Sequence, residues 1–72
     1  MTTLQYSMLI KQLTTLHLCT FGEYTFTITN RLKNVFELKQ LYKGISVSLY
    51  IGTEAECIDA ARECIRMIGG IN

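Results

Sequence analysis

Few side chains in this sequence could carry chemistry. Its one histidine, His17, lies two residues before Cys19. On a strand the two would share a face, since side chains alternate with period two. A His beside a Cys is the pairing that activates a thiolate nucleophile. The same two types ligate zinc, but zinc wants four ligands of Cys, His or carboxylate at short spacing, and here two stand alone. Cys57 and Cys64 fall on a helical apolar stripe, where thiols pack as small hydrophobes. Glu56, Asp59 and Glu63 share the outer side of that helix. Carboxylates do acid–base work only where burial shifts their pKa values, and an outer helix face is solvated. The chain has no G-x-G-x-x-G, no P-loop and no H-E-x-x-H. The expectation is three structural cysteines, one ordinary histidine, no metal, no cofactor and no enzyme activity.

The cations are more suggestive. Arg31, Lys33, Lys39 and Lys43 stand against Glu37, a local charge of +3 between residues 31 and 43. Residues 53–68 hold four acids against Arg62 and Arg66. A basic loop and hairpin could touch phosphates. Few cations release few counterions, so such binding is expected to be weak at physiological salt.

The elements that must position these residues follow from periodicity. Thr53-Glu54-Ala55-Glu56 reads as a capping box. Cys57, Ile58, Ala61, Cys64, Ile65 and Ile68 then recur at helical spacing until Gly69-Gly70, predicting a helix over 54–68. Ile45, Val47, Leu49 and Ile51 alternate with Ser46, Ser48 and Tyr50, a half-buried strand. Val35 to Tyr42 reads as a strand whose alternation slips at Leu41, where a bulge is expected. Lys43-Gly44 joins the two as a hairpin. Tyr24, Phe26 and Ile28 alternate with Thr25, Thr27 and Thr29, and residues 30–34 form a loop. Tyr6, Leu9, Ile10 and Leu13 suggest a helix over 3–14, with Thr14-Thr15 at its boundary and a short strand over 16–20.

The fold class is therefore α+β: a three- or four-stranded antiparallel meander with a C-terminal helix on one face and an N-terminal helix. The expected core joins Tyr24, Phe26 and Ile28 to Phe36, Leu38, Ile45, Val47, Leu49 and Ile51. The other face carries Thr25, Thr27, Thr29, Glu37, Lys39, Ser46, Ser48 and Tyr50. The stretches Tyr24–Thr29 and Val35–Tyr42 lack proline and are candidate exposed edges.

Size and composition bound the rest. The 72 residues allow one domain, 1–72, with 49% hydrophobic and 18% charged residues. So short a chain buries only about 60% of its unfolded surface, and small domains gain stability from dimerisation. The stripe Tyr6, Leu9, Ile10 and Leu13 is a candidate for the core or for a homodimer surface. In one helix, Cys57 and Cys64 would sit about 10 Å apart, beyond the roughly 7 Å reach of a disulfide. An odd set of reduced thiols points to the cytoplasm. Neither a signal peptide nor an apolar span of about 20 residues is present, so no membrane is expected.

Tyr50-Ile51-Gly52-Thr53-Glu54-Ala55 resembles the strand-to-helix junction of three-stranded DNA-binding domains of plant regulators and phage integrases. That resemblance implies a sheet reading DNA, yet the sheet face here carries Thr and Ser where such readers carry Arg. The leading expectation is instead a small protein-binding module that contacts its partner through Thr25, Thr27, Ser48 and Tyr50. Tyrosine gives large contact area at low entropic cost. An inhibitor or adaptor carried by a phage or mobile element, acting on a host defence complex in the manner of an anti-CRISPR protein, is the specific form expected. The alternative is a weak nucleic-acid-binding accessory protein using Arg31, Lys33, Lys39 and Lys43.

Overall fold

The computed structural model describes residues 1–70. Helix α1 (Thr3–Leu16) leads into strands β1 (Leu18–Phe21), β2 (Tyr24–Leu32), β3 (Val35–Tyr42) and β4 (Ile45–Gly52), and helix α2 (Glu54–Gly69) follows. Both helices open on a capping box. Thr2 Oγ1 accepts from the Gln5 amide at 3.1 Å, and Gln5 Oε1 accepts from the Thr2 amide at 2.8 Å. Thr53 and Glu56 repeat the exchange at 3.2 and 2.9 Å, each pair satisfying two amides that a helix start leaves orphaned. α1 runs past the expected boundary to Leu16, with Thr14 Oγ1 donating back to the Ile10 carbonyl at 2.8 Å. His17 ends it, in the left-handed conformation at φ 58°.

The strands form one antiparallel sheet in the order β1-β2-β3-β4. Each connection is a two-residue turn. In Lys43-Gly44 both residues take positive φ, 50° and 81°, the geometry that matches the twist of paired strands. The expected loop 30–34 shrinks to Lys33-Asn34, because β2 continues to Leu32 with a register shift at Arg31.

Both helices pack on one face of the sheet, antiparallel to each other. The Met1 amino group and the Tyr6 hydroxyl donate to the carbonyls of Gly69 and Arg62, each at 3.5 Å, while His17 meets Glu54 at the other end. Between the layers lie Ile10, Leu13, Cys19, Phe26, Ile28, Leu38, Cys57, Ala61 and Ile65. Of the stripe read as core or dimer surface, Ile10 and Leu13 belong to this core, and Tyr6 and Leu9 pack against it. No helix among the described residues is long and apolar enough to cross a membrane.

Three expectations about the sheet need correction. The bulge is not at Leu41, which pairs regularly with Thr25 and Ser46. It falls at Leu49: Leu38 faces Tyr50 while Lys39 faces Ser48, leaving Leu49 as the extra residue. A bulge reverses which residues face inward beyond it. Ile51 therefore turns to the helix-free face and is 57% exposed. Ile45 and Val47 do sit on the helix side, by their register with Tyr42 and Gln40. They stay 66% and 45% exposed. Finally, the stretches read as edges, β2 and β3, are the two inner strands. The edges are β1 and β4.

Candidate protein-interaction face

Register fixes what the helix-free face displays, since directly opposed residues share a side. Three cross-strand rows result. Thr20, Thr25, Leu41 and Ser46 form the first, Leu18, Thr27, Lys39 and Ser48 the second, and Thr29, Glu37 and Ile51 the third. Thr25, Thr27 and Ser48 thus share this face, as the alternation implied. Tyr50 does not. The Leu49 bulge puts it in register with Leu38, and its ring reaches over Gly52 towards Glu56, where a Cβ on Gly52 would lie 2.8 Å from the ring.

The third row has a fixed polar centre. Glu37 is 5% exposed although no helix covers it. Arg31 Nη1 donates to its Oε1 at 2.5 Å, and Lys39 Nζ stands 3.9 Å from the same oxygen. The Ser48 hydroxyl and Arg31 hold the carboxyl below the usual carboxylate range, against the opposing pull of burial. The bulge at Arg31 is what frees that side chain to reach Glu37, six residues on. The paired cluster shares the face with Ile51 in its own row, Leu41 two rows away and threonine hydroxyls between. Exposed apolar side chains beside satisfied polar groups are a ground for protein contact, since interfaces bury apolar area and rim it with polar groups.

The four cations offered for nucleic acid are divided. Arg31 and Lys39 are drawn onto Glu37. Lys33 and Lys43 occupy turns at opposite ends of β3, a strand roughly 26 Å long at its rise per residue. Lys43 also lies over the Tyr42 ring, 5.3 Å from its centre. The local +3 of the sequence is therefore not one patch.

The residues considered for catalysis are engaged separately. His17 Nε2 is 2.5 Å from Glu54 Oε2, and its ring meets Phe36 edge-on at 6.1 Å. Burial pushes the Cys19 thiol up to about 11, away from the thiolate. Burial likewise raises Cys57, whose Sγ donates to the Phe36 carbonyl at 3.4 Å, and Cys64, where Glu63 adds to the effect. On the outer side of α2, Glu56 caps Thr53 and Glu63 pairs with Arg66 at 2.7 Å. A groove of about 340 Å³ runs between α1 and the β1–β2 turn, lined by Met1, Met8, Gln12 and Phe21 among others. It gathers none of the candidate residues.

Sequence reasoning missed Leu18, Leu41 and Ile51 on the open face. The slip in alternation at Leu41 was the available signal: an apolar residue on the polar side of a strand marks an outward patch as readily as a bulge. No family model, curated protein or solved structure matches this chain.

Proposed function

We propose that the chain is a small non-enzymatic protein-binding module that engages its partner through the helix-free sheet face. One observation carries this reading: three cross-strand rows of hydroxyl and apolar side chains share the helix-free face with the paired Glu37–Arg31–Lys39 cluster. Leu18, Leu41 and Ile51 supply exposed apolar contact at 47%, 43% and 57%. The ion cluster supplies orientation, because a charge arrangement favours complementary partners and penalises others. The specific form we propose is a stoichiometric inhibitor or adaptor of a phage or mobile element, directed at a host defence complex such as a CRISPR effector. An 8.2 kDa chain that presents one broad face suits a blocker acting by occupation. The free thiols of Cys19, Cys57 and Cys64 support a reducing compartment, hence the cytoplasm. Self-association belongs to the same reading.

The test is affinity capture from the native cell extract, with and without nuclease. Recovery of a protein partner after nuclease supports the proposal. A signal that vanishes with nuclease supports instead the accessory role in which Arg31, Lys33, Lys39 and Lys43 touch phosphates.

A further inference from the structure

β4 is an edge strand of eight residues, Ile-Ser-Val-Ser-Leu-Tyr-Ile-Gly, without a charge or a proline. Edge strands offer a row of unpaired backbone donors and acceptors, and proteins ordinarily blunt them with charge, proline or brevity. β1, the opposite edge, is blunted by brevity, at four residues. β4 has a bulge at Leu49, but Ile45–Ser48 runs in regular register with β3. Its helix-side residues there, Ile45 and Val47, are exposed, and Ile68 on α2 adds further exposed apolar surface on the helix layer. Among the described residues, nothing pairs with this edge.

The charges at its two ends decide the occupant. Exposed Lys43 precedes β4, and the first turn of α2, with Glu54 half-buried and Glu56 exposed, follows it. Antiparallel pairing of β4 with β4 of a second copy carries Lys43 of each chain towards the acidic turn of the other. Parallel pairing would set like charges together. The strand is thus self-complementary in the one orientation that a two-fold axis generates.

We propose that two copies of the chain pair through β4, antiparallel about a two-fold axis near Val47, joining their sheets into one of eight strands. This deepens the reading of the chain as a protein-binding module by assigning one partner surface. It leaves the open face available, since an edge contact uses a different side of the sheet.

Sedimentation velocity over roughly a hundredfold concentration range tests it, because mass action makes a dimer concentration-dependent. The wild-type chain should approach twice 8.2 kDa at the upper end. Val47→Lys, a charge placed on the exposed edge, should remain monomeric with an unchanged circular dichroism spectrum. Lys43→Glu should weaken the dimer by about tenfold or more, and added salt should restore part of the loss. A wild-type chain that stays monomeric throughout, or a dimer that survives Val47→Lys, overturns the pairing. Should the Val47→Lys monomer still capture its protein partner after nuclease, the module stands with a separate partner face. Loss of partner capture by open-face variants is a different failure, read in a different assay.

Discussion

Glu37 is the charged side chain that the sheet buries, and its surroundings set its pH behaviour. Ser48 and Arg31 lower its pKa from the ordinary 4.5. A carboxyl depressed in the folded state contributes stability above its unfolded pKa and loses it as pH falls through the folded value. Wild type should therefore be more stable than Glu37→Gln at neutral pH, with the gap closing in acid below about 4.5. Thermal melts of both proteins across that range check this, and a gap independent of pH contradicts it. Cys19 behaves in the opposite sense. Its thiol rises from 9.0 to about 11, so its contribution is present below 9.0 and is lost as pH climbs through 11. At mildly alkaline pH, Cys19 should react with a thiol reagent far more slowly in the native protein than after unfolding. Equal rates would contradict its place in the core beside Phe26, its cross-strand partner. The burial of Cys19 follows the expectation of structural cysteines, whereas the behaviour of Glu37 was not legible in the sequence. Glu37 was placed on the correct face, but its burial depends on Arg31 reaching back from a bulge that no local pattern announced.

At the scale of the element, the junction of β4 and α2 concentrates several constraints. Gly52 closes the strand, Thr53 caps the helix and Glu56 reaches back to the Thr53 amide at 2.9 Å. A Cβ at Gly52 would stand 2.6 Å from Glu56 Oε1 and 2.8 Å from the Tyr50 ring. Gly52→Ala must therefore displace the carboxylate that completes the cap. Thr53→Ala removes the cap's other half, at a cost of about 1 kcal/mol. Combined, the two changes should cost less than their separate sum, because both act on one capping box. Denaturant titrations of the two single variants and the double variant measure this, and full additivity would contradict the shared mechanism. This helix was legible because its cap and its apolar spacing are local signals. The strands were legible for the same reason. Their sidedness beyond Leu49 was not, since a bulge depends on the partner strand. The placement of Ile51 and Tyr50 failed at that single residue, so Tyr50 stands apart from the face that Thr25, Thr27 and Ser48 share.

For the molecule as a whole, the sheet is covered on one side and bare on the other. Meander order followed from short turns such as Lys43-Gly44, which leave consecutive strands no alternative to pairing as neighbours. The C-terminal helix was legible on the apolar face of the strands, but the face taken by α1 was not, because its apolar stripe says that the helix is buried without saying on which side. With both helices on one side, Thr25, Thr27 and Ser48 remain outward with Leu41 and Ile51, and Arg31 and Lys39 are tied to Glu37. The central claim is that this face binds a protein. Its most direct measurement compares the affinity of the captured partner for three chains at two salt concentrations: wild type, Ile51→Glu, and the double change Lys33→Ala with Lys43→Ala. Ile51→Glu places a second carboxylate directly opposite Glu37 on the open face, where like charges repel, so binding is compared at a temperature at which its thermal melt shows the variant folded. The account predicts that Ile51→Glu weakens binding by more than about 1 kcal/mol at both salt concentrations, with the double lysine change close to neutral. A steep, salt-dependent loss from the lysine changes, with Ile51→Glu binding as well as wild type, would contradict it.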